Sequence, residues 1–257
     1  MSLTDRSSND FWVCHLGLIT YSDGITIQET LRARRQAGEI PDTLLLLEHP
    51  PTYTRGRRAG ADELPFPGSF YEAKGIELHE TDRGGRVTYH GPGQLVGYPI
   101  MAVTDVIAHL RTMEEAIVAA LGEARVGAHG RVADGPDYTG VWVDERKIAS
   151  LGVHISRGIS THGFAVNVEN DLEPFSWVVA CGLPDVRMTS LSAETAGAGE
   201  RLPCFRKRIA HSFCEAQGRR QRIVSPQRLG FATTRPVRPA PSRAQLKSKG
   251  PMETVPA

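Results

Sequence analysis

Four stretches of the chain combine residue types that can carry chemistry. Residues 83–94 read RGGRVTYHGPGQ, with glycines flanking a short strand-like run. Glycine lets backbone N–H groups approach a ligand, and successive N–H groups form a concavity suited to anions. Arg83, Arg86 and His90 add polar side chains there. The same pattern also reads as two glycine turns joining strands. It is not a phosphate loop, because it lacks the Gly-Lys-Ser/Thr ending.

Lys147 stands at the head of a second stretch, KIASLGVH. Strand alternation groups Lys147 with Ala149, Leu151, Val153 and Ile155 on one apolar face. A lysine there is either a snorkelling surface group or a desolvated amine, and the pattern alone favours the surface. The opposite face, Ile148, Ser150, Gly152 and His154, holds small residues along which a ligand chain fits. A third stretch, THGFAVN (161–167), supplies His162. The fourth is VACGL (179–183), where Cys181 follows an apolar run. Such a cysteine is usually a small core residue. As a nucleophile it needs a nearby cation or base, since the thiolate attacks. A free thiol with a pKa near ~8.5 is only a few per cent ionised at pH 7. A fall of about 2 units, or about 2.7 kcal/mol, makes the thiolate predominate, and one close ammonium has an effect of that order. Cys14, Cys204 and Cys214 have no glycine-rich neighbours, and Cys14 reads as core. His15, His49, His109, His129 and His211 show no ligand spacing, so no metal site is expected.

The elements that must position these residues are legible in outline. Tyr21–Gly38 reads as a helix ended by Gly38 and Pro41. The four consecutive leucines within Thr43–Glu48 suit a strand buried on both faces. Leu95–Ile100 is a further strand. Over Asp105–Ala124, Val106, Ile107, Leu110, Met113, Ile117, Val118 and Leu121 recur at helical spacing, with Asp105 as cap. Gly127–Gly135 reads as loop. Val141–Ile155 reads as a hairpin turning near Asp144-Glu145-Arg146. Gly163–Val168 is a strand and Phe205–Gln217 a closing helix. The interleaving lacks regular βα alternation, which favours an α+β or mixed-sheet domain.

Composition narrows the function classes. The 257 residues carry 30 Lys+Arg against 29 Asp+Glu, a net +1, and 40% are apolar. A sizeable core follows, and a surface committed to nucleic acid does not. No apolar run approaches the roughly 18 residues that span a bilayer. The start, MSLTDRSSNDFW, lacks the basic end and apolar run of a secretory signal. Four cysteines without a CxxC pair argue against a disulfide scaffold or thiolate zinc. The charge is unevenly placed, because residues 218–257 hold nine Lys/Arg and one acid, a net +8. With six prolines, this tail is expected to be disordered and dispensable for activity. The division expected is a flexible 1–10, a catalytic domain over 11–217 and the basic tail 218–257.

RGGRVTYHGPGQLVGYP (83–99), LLLLEHPPTYTRGRR (44–58), GVWVDERKIASLGVHISRGISTHGFAVNV (140–168) and CGLPDVRMTSL (181–191) together resemble the lipoyl(octanoyl) transferase family, in the family's order. The resemblance spans about residues 11–195. It implies an α+β fold of the biotin/lipoate protein ligase type, a mixed sheet with flanking helices. It implies a catalytic pair, the cysteine of the Cys-Gly motif at Cys181 and the lysine of Arg-Lys-Ile-Ala at Lys147. The implied acyl pocket comprises Arg83, Gly84, Gly85, Arg86, Val87, Thr88, Tyr89 and His90, with Ser150, Leu151, Gly152, Gly163, Phe164 and Ala165, and with His162 as an orienting group. The implied donor is octanoyl-acyl carrier protein, whose phosphopantetheine carries the acyl group, so the enzyme itself needs no cofactor. The implied acceptors are lipoyl domains of 2-oxoacid dehydrogenase complexes and the glycine cleavage H protein. A cytoplasmic setting, without membrane or nucleic acid, is expected. An ATP-dependent lipoate or biotin ligase is the enzyme alternative, set apart by the Cys181-Gly182 pair. A non-catalytic homologue that binds lipoyl domains is the other.

Overall fold

The structure, a computed structural model, describes residues 9–182 and 186–231. Strand β1 (Asp10–Leu18) leads into helix α1 (Tyr21–Gln36), whose first turn is capped by Thr20 Oγ1 accepting the Asp23 N–H at 3.1 Å. Strands β2 (Thr43–Glu48) and β3 (Thr52–Arg55), helix α2 (Gly68–Ala73) and strands β4 (Glu77–Glu80), β5 (Val87–His90) and β6 (Gln94–Ile100) follow. Helix α3 (Val106–Glu123) begins at Asp105, whose carboxylate accepts the Ala108 N–H at 3.0 Å. Then come β7 (His129–Gly130), β8 (Gly140–Val143), β9 (Arg146–Ser156), β10 (Ile159–Asn167), β11 (Arg187–Met188), α4 (Leu191–Glu194), α5 (Leu202–Ala216) and β12 (Arg220–Ile223).

Among the described residues the strands form two sheets. The larger is mixed and runs β12-β1-β2-β6-β10-β9-β8-β7, with β11 beside β9, and the smaller runs β4-β3-β5. The leucine run of β2 shows why the large sheet is covered on both sides. Leu44 and Leu46 pack with α3 and α5, while Leu45 and Leu47 pack with α1. A third cluster, including Tyr53, Tyr71, Tyr89 and Phe175, lies over the small sheet. Neighbouring strands and covering helices thus give the α+β arrangement expected.

Four local expectations are corrected. In α3, Val106 and Ile107 are 43% and 49% exposed, while His109 and Glu114 are buried. Helical spacing alone does not say that the first turn projects past the sheet. The 127–135 loop contains β7 and a 3-10 turn over Val132–Asp134. Strand β10 starts at Ile159, four residues before the predicted start. The basic tail is structured through residue 231, while 232–257 and 1–8 lie outside the described residues. Strand β12 pairs in parallel with β1, and Arg220 and Arg222 both reach Asp10. Arg219 bridges to Asp42 at 3.2 Å, and Leu229 is fully buried. Three of the arginines that suggested a solvated tail, Arg219, Arg220 and Arg222, instead pair with two buried carboxylates, because those carboxylates need partners.

Leu229→Ala should therefore lower folding stability by about 2–4 kcal/mol, the ordinary effect of a large-to-small change at a buried site. Urea unfolding reads this, and a change under about 0.5 kcal/mol, the surface range, would show the segment to be a loose appendage.

Candidate active site

The two sheets meet at a glycine seam. Gly84 N–H donates to the Val153 carbonyl at 2.9 Å, and a Cβ on Gly152 would stand 2.6 Å from the Gly84 oxygen. Only glycine at 152 allows this approach. Beside the seam opens a cleft of about 580 Å3, its mouth included. One wall is the 83–90 segment, and the other is β9 and β10.

Lys147 lines this cleft and is 1% exposed. A β-bulge puts it there. Val141 pairs with Ala149, but the next residue, Trp142, pairs with Lys147, leaving Ile148 as the extra residue. The bulge reverses the alternation, so Lys147 joins Ser150 on the cleft side instead of sharing a face with Ala149. The Lys147 ammonium lies 5.2 Å from the centre of the Trp142 ring, a cation–π contact. A Cβ on Gly140 would be 2.5 Å from Lys147 Cε, so glycine there makes room for the side chain.

Cys181 lies in the 3-10 turn Ala180–Gly182. The turn is tethered on its upstream side. Val179 N–H donates to the Glu63 carbonyl, and Met188 of β11 is the register partner of Lys147. Gly182 has φ +68°, and a Cβ on it would collide with Arg86 Cδ. Arg86 also lines the cleft and pairs with the buried Glu63 at 2.8 Å and with Asp137 at 3.1 Å. Cys14 and Cys214 are buried, and burial pushes both thiols up to about 12, far from a reactive state. Cys204 is exposed.

Buried rings close the inner side. His49 Nδ1 donates to the Ile19 carbonyl at 2.9 Å, so its Nε2 accepts from Tyr98 OH at 2.7 Å. Burial pushes the His49 ring down to about 4, and it stays neutral. His90 Nδ1 donates to Gln94 Oε1 at 2.8 Å, while Gln94 Nε2 donates to Asn167 Oδ1 at 3.0 Å. Burial likewise drives His90 well below the usual histidine range. His162 has φ +56°, uncommon for a residue with a Cβ, and its N–H donates to Gln28 Oε1. Its Nε2 meets Asp82 at 2.8 Å. That hydrogen bond is the main reason the Asp82 carboxyl is pulled down to about 2, while burial makes His162 harder to protonate. Thr88 Oγ1, on the cleft wall, is buried and makes no hydrogen bond within the described residues.

Of the residues singled out by sequence, Arg83, Gly85, Arg86, Val87, Thr88, His90, Lys147, Ser150, Leu151, Gly152, His162, Gly163, Phe164 and Ala165 line this one cleft. Gly84 and Tyr89 do not line it, and the side chain of Cys181 lies outside the described residues. Gly84 builds the seam, and Tyr89 alternates away to pack on Phe175 at 5.4 Å. Arg83 lines the cleft and also braces the small sheet, its guanidinium donating to the Thr54 and Arg86 carbonyls at 2.7 Å each. Sequence reasoning missed Tyr21, Arg58, Tyr98, Asp137 and Thr139 on the cleft wall. Tyr98 lay within a predicted strand whose facing was not counted, and Asp137 and Thr139 immediately precede the hairpin. Among the described residues, no group of three or more His, Cys, Asp or Glu is placed to hold a metal. No helix among them is long and apolar enough to cross a membrane.

A mixed sheet with helices on both faces is the fold of the solved lipoate-protein ligases. The solved structure of lipoate-protein ligase A bound with ATP superposes with a TM-score of 0.69 at 18% identity, covering 86% of this chain and 92% of that one. A lipoate protein ligase from Thermoplasma acidophilum, described together with its E2 lipoyl domain, gives 0.67 at 18% identity, over 84% and 87%. The lipoyl protein ligase A/B catalytic domain model matches residues 20–213. The octanoyltransferase of Solibacter usitatus is 46% identical over 206 residues, 77% of this chain and 90% of that protein. Those of Acidobacterium capsulatum and Rubrobacter xylanophilus are 41% and 44% identical, over 80% and 79% of this chain and 87% and 91% of theirs. The chain belongs to the lipoyl protein ligase A/B catalytic-domain family, on its octanoyltransferase branch.

Two outcomes follow from the site. Gly182→Ala should lower octanoyl transfer by about tenfold or more in a protein that still folds, because the added carbon strains the turn and displaces Arg86. Steady-state rates with a melting curve as control decide it, and an unaltered rate would show the turn to be slack. His49 and His109 are both held near 4 by burial, so the unfolded chain takes up protons that the folded one refuses. Their contribution to stability is complete above the unfolded pKa near ~6.5. It declines as pH falls toward 4, by up to about 1.4 kcal/mol per pH unit for each ring. Urea unfolding at pH 7.5 and pH 5 should show the loss, with a shallower slope in His49→Gln. Equal slopes would remove His49 from the account.

Proposed function

We propose that the chain moves an octanoyl group from octanoyl-acyl carrier protein to the target lysine of lipoyl domains through a thioester on Cys181. One observation carries this reading: Lys147 is buried in an apolar-walled cleft bordered by Arg86, and Gly182, the residue after Cys181, lies against that same arginine. The lipoate ligase described with its E2 lipoyl domain supports the choice of acceptor.

The Lys147 ammonium holds Cys181 as a thiolate, an ion pair strengthened by desolvation. The sulfur attacks the substrate thioester carbonyl, a new carbon–sulfur bond forms, and the bond to the pantetheine sulfur breaks. The departing thiolate takes a proton from Lys147 and leaves as a thiol. The acceptor lysine amine then attacks the acyl-enzyme, loses a proton to neutral Lys147 and forms the amide. The Cys181 thiolate and Lys147 ammonium are thereby restored. Thioester to amide runs downhill, so the reading includes no ATP and no cofactor. Leu151, Phe164 and Ala165 offer apolar contact to the eight-carbon chain, worth up to about 0.8 kcal/mol per methylene. Thr88 Oγ1 is the candidate donor to the developing oxyanion. The setting proposed is the cytoplasm, where both protein substrates would be met.

Incubation with octanoyl-acyl carrier protein, without ATP or magnesium, should add one octanoyl group at Cys181, read by intact mass and peptide mapping. An adduct confined to Cys14, Cys204 or Cys214, or transfer that requires ATP, would reject the reading. Lys147→Ala should slow alkylation of Cys181 near neutral pH by about tenfold or more. An unchanged rate would dissolve the pair.

A further inference from the structure

Glu114 is a carboxylate in the middle of α3, 4% exposed, among Met113, Ala116 and Ile117 of the apolar face. Nothing in helical patterning asks for an acid there. Its two oxygens gather backbone N–H groups from the segment that leads to the cleft. Gly140 donates to Oε1 at 2.8 Å, Arg131 to Oε1 at 3.3 Å and Val132 to Oε2 at 3.2 Å. Residues 131–140 are thereby drawn into an arch whose outer part, Pro136, Asp137 and Thr139, lines the cleft. Two glycines fit the arch to the acid. A Cβ on Gly130 would collide with the Glu114 carboxylate, and one on Gly140 would press on Lys147 Cε. Gly140 thus stands between Glu114 and Lys147, its N–H bound to the one and its Cα against the other. Burial pushes the Glu114 carboxyl up. The three amides and the charge of Lys147 act the opposite way.

The geometry points to Glu114 as a positioning residue for acyl transfer: by clasping the 131–140 arch it fixes the Gly140 wall that seats the Lys147 ammonium. This rests on the reading of Lys147 as the partner of Cys181. Glutamine is the informative replacement. It keeps the shape and one acceptor oxygen but turns an amino group toward an N–H that needs an acceptor. The arch then loosens, and Lys147 loses both its fixed wall and a nearby negative charge. The acyl-chain walls built by β9 and β10 are untouched and only the arch side of the cleft loosens, so the effect falls chiefly on turnover, with a small change in substrate affinity.

The test is steady-state transfer from octanoyl-acyl carrier protein to a lipoyl domain, in the full chain. Glu114→Gln should lower kcat roughly 10- to 100-fold, the scale of a small misplacement at a reacting group. KM for the donor should stay within about threefold. Glu114→Asp, which keeps the charge and both acceptors one methylene short, should retain more kcat than Glu114→Gln, and it carries the same readouts if the glutamine variant does not fold. In a Lys147→Ala background the Glu114 change should alter the residual rate by no more than about twofold, because its action passes through the missing amine. A folded variant with wild-type kcat overturns the inference. So does an equal loss with and without Lys147, or a loss that only tracks the unfolded fraction. Octanoyl mapping on the wild-type protein separates the two levels. An adduct away from Cys181 removes the reading and this inference with it, whereas an adduct on Cys181 with an unimpaired Glu114→Gln removes the inference alone.

Discussion

Burying an ammonium is the constraint around which this molecule is arranged. A lysine nine-tenths or more removed from water is unfavourable unless its surroundings supply compensating polar or π contacts. Lys147 receives them from the Trp142 ring and from the nearby charge of Glu114. It reaches that setting through a single extra residue, Ile148, in β9. Without the bulge, the same strand would send Lys147 into the packed apolar layer beneath α3 and α5, away from the cleft. Local backbone irregularity, not side-chain identity, decides on which side of the sheet the amine lies.

The cleft itself exists because two sheets approach closely along backbone alone. Gly84 and Gly152 carry no side chains, and their contact brings the 83–90 segment over β9 and β10. Several polar groups on the rest of the wall are held in place by hydrogen bonds. Arg83 is fixed by carbonyls, Arg86 by Glu63 and Asp137, and His90 by Gln94 and Asn167. Such pre-set donors and acceptors need little rearrangement when a substrate enters. The neutral state of His49 and His90 fits this picture, since a charged ring in that interior would break the bond from Tyr98 or demand a counter-ion.

Much of this was legible in the chain before folding was considered. The leucine run of β2 gave a doubly buried strand, Asp105 gave a helix cap, and the turn at Asp144-Glu145 gave the β8–β9 hairpin. The motif residues carried over by resemblance, Cys181 aside, line one cleft with the exceptions of Tyr89 and Gly84. Tyr89 was grouped by sequence proximity, whereas strand alternation turns it to the other side. Gly84 was read as ligand-facing, whereas its lack of a side chain serves the seam. Three features were not legible. A bulge leaves no compositional mark, so the facing of Lys147 came out reversed. Glu114 breaks the apolar rhythm of α3 for a reason that appears only when the 131–140 arch folds against it. Arg219, Arg220 and Arg222 looked like part of a solvated tail, because their partners, Asp10 and Asp42, lie far back in the chain.

That last pairing has a consequence for how the protein is made. Arg220 and Asp10 are separated by 210 positions, and β12 covers the outer edge of β1. During synthesis β1 emerges 210 positions ahead of its partner in β12, and its outer edge waits that long for a neighbour. Until then its outer N–H and C=O groups stand open, a template onto which a foreign strand can zip. Such a distant closing contact is also slow to find. The interval between translation of the first strand and docking of the last is therefore the period of greatest exposure to misassembly, and the period in which a chaperone would have most to protect.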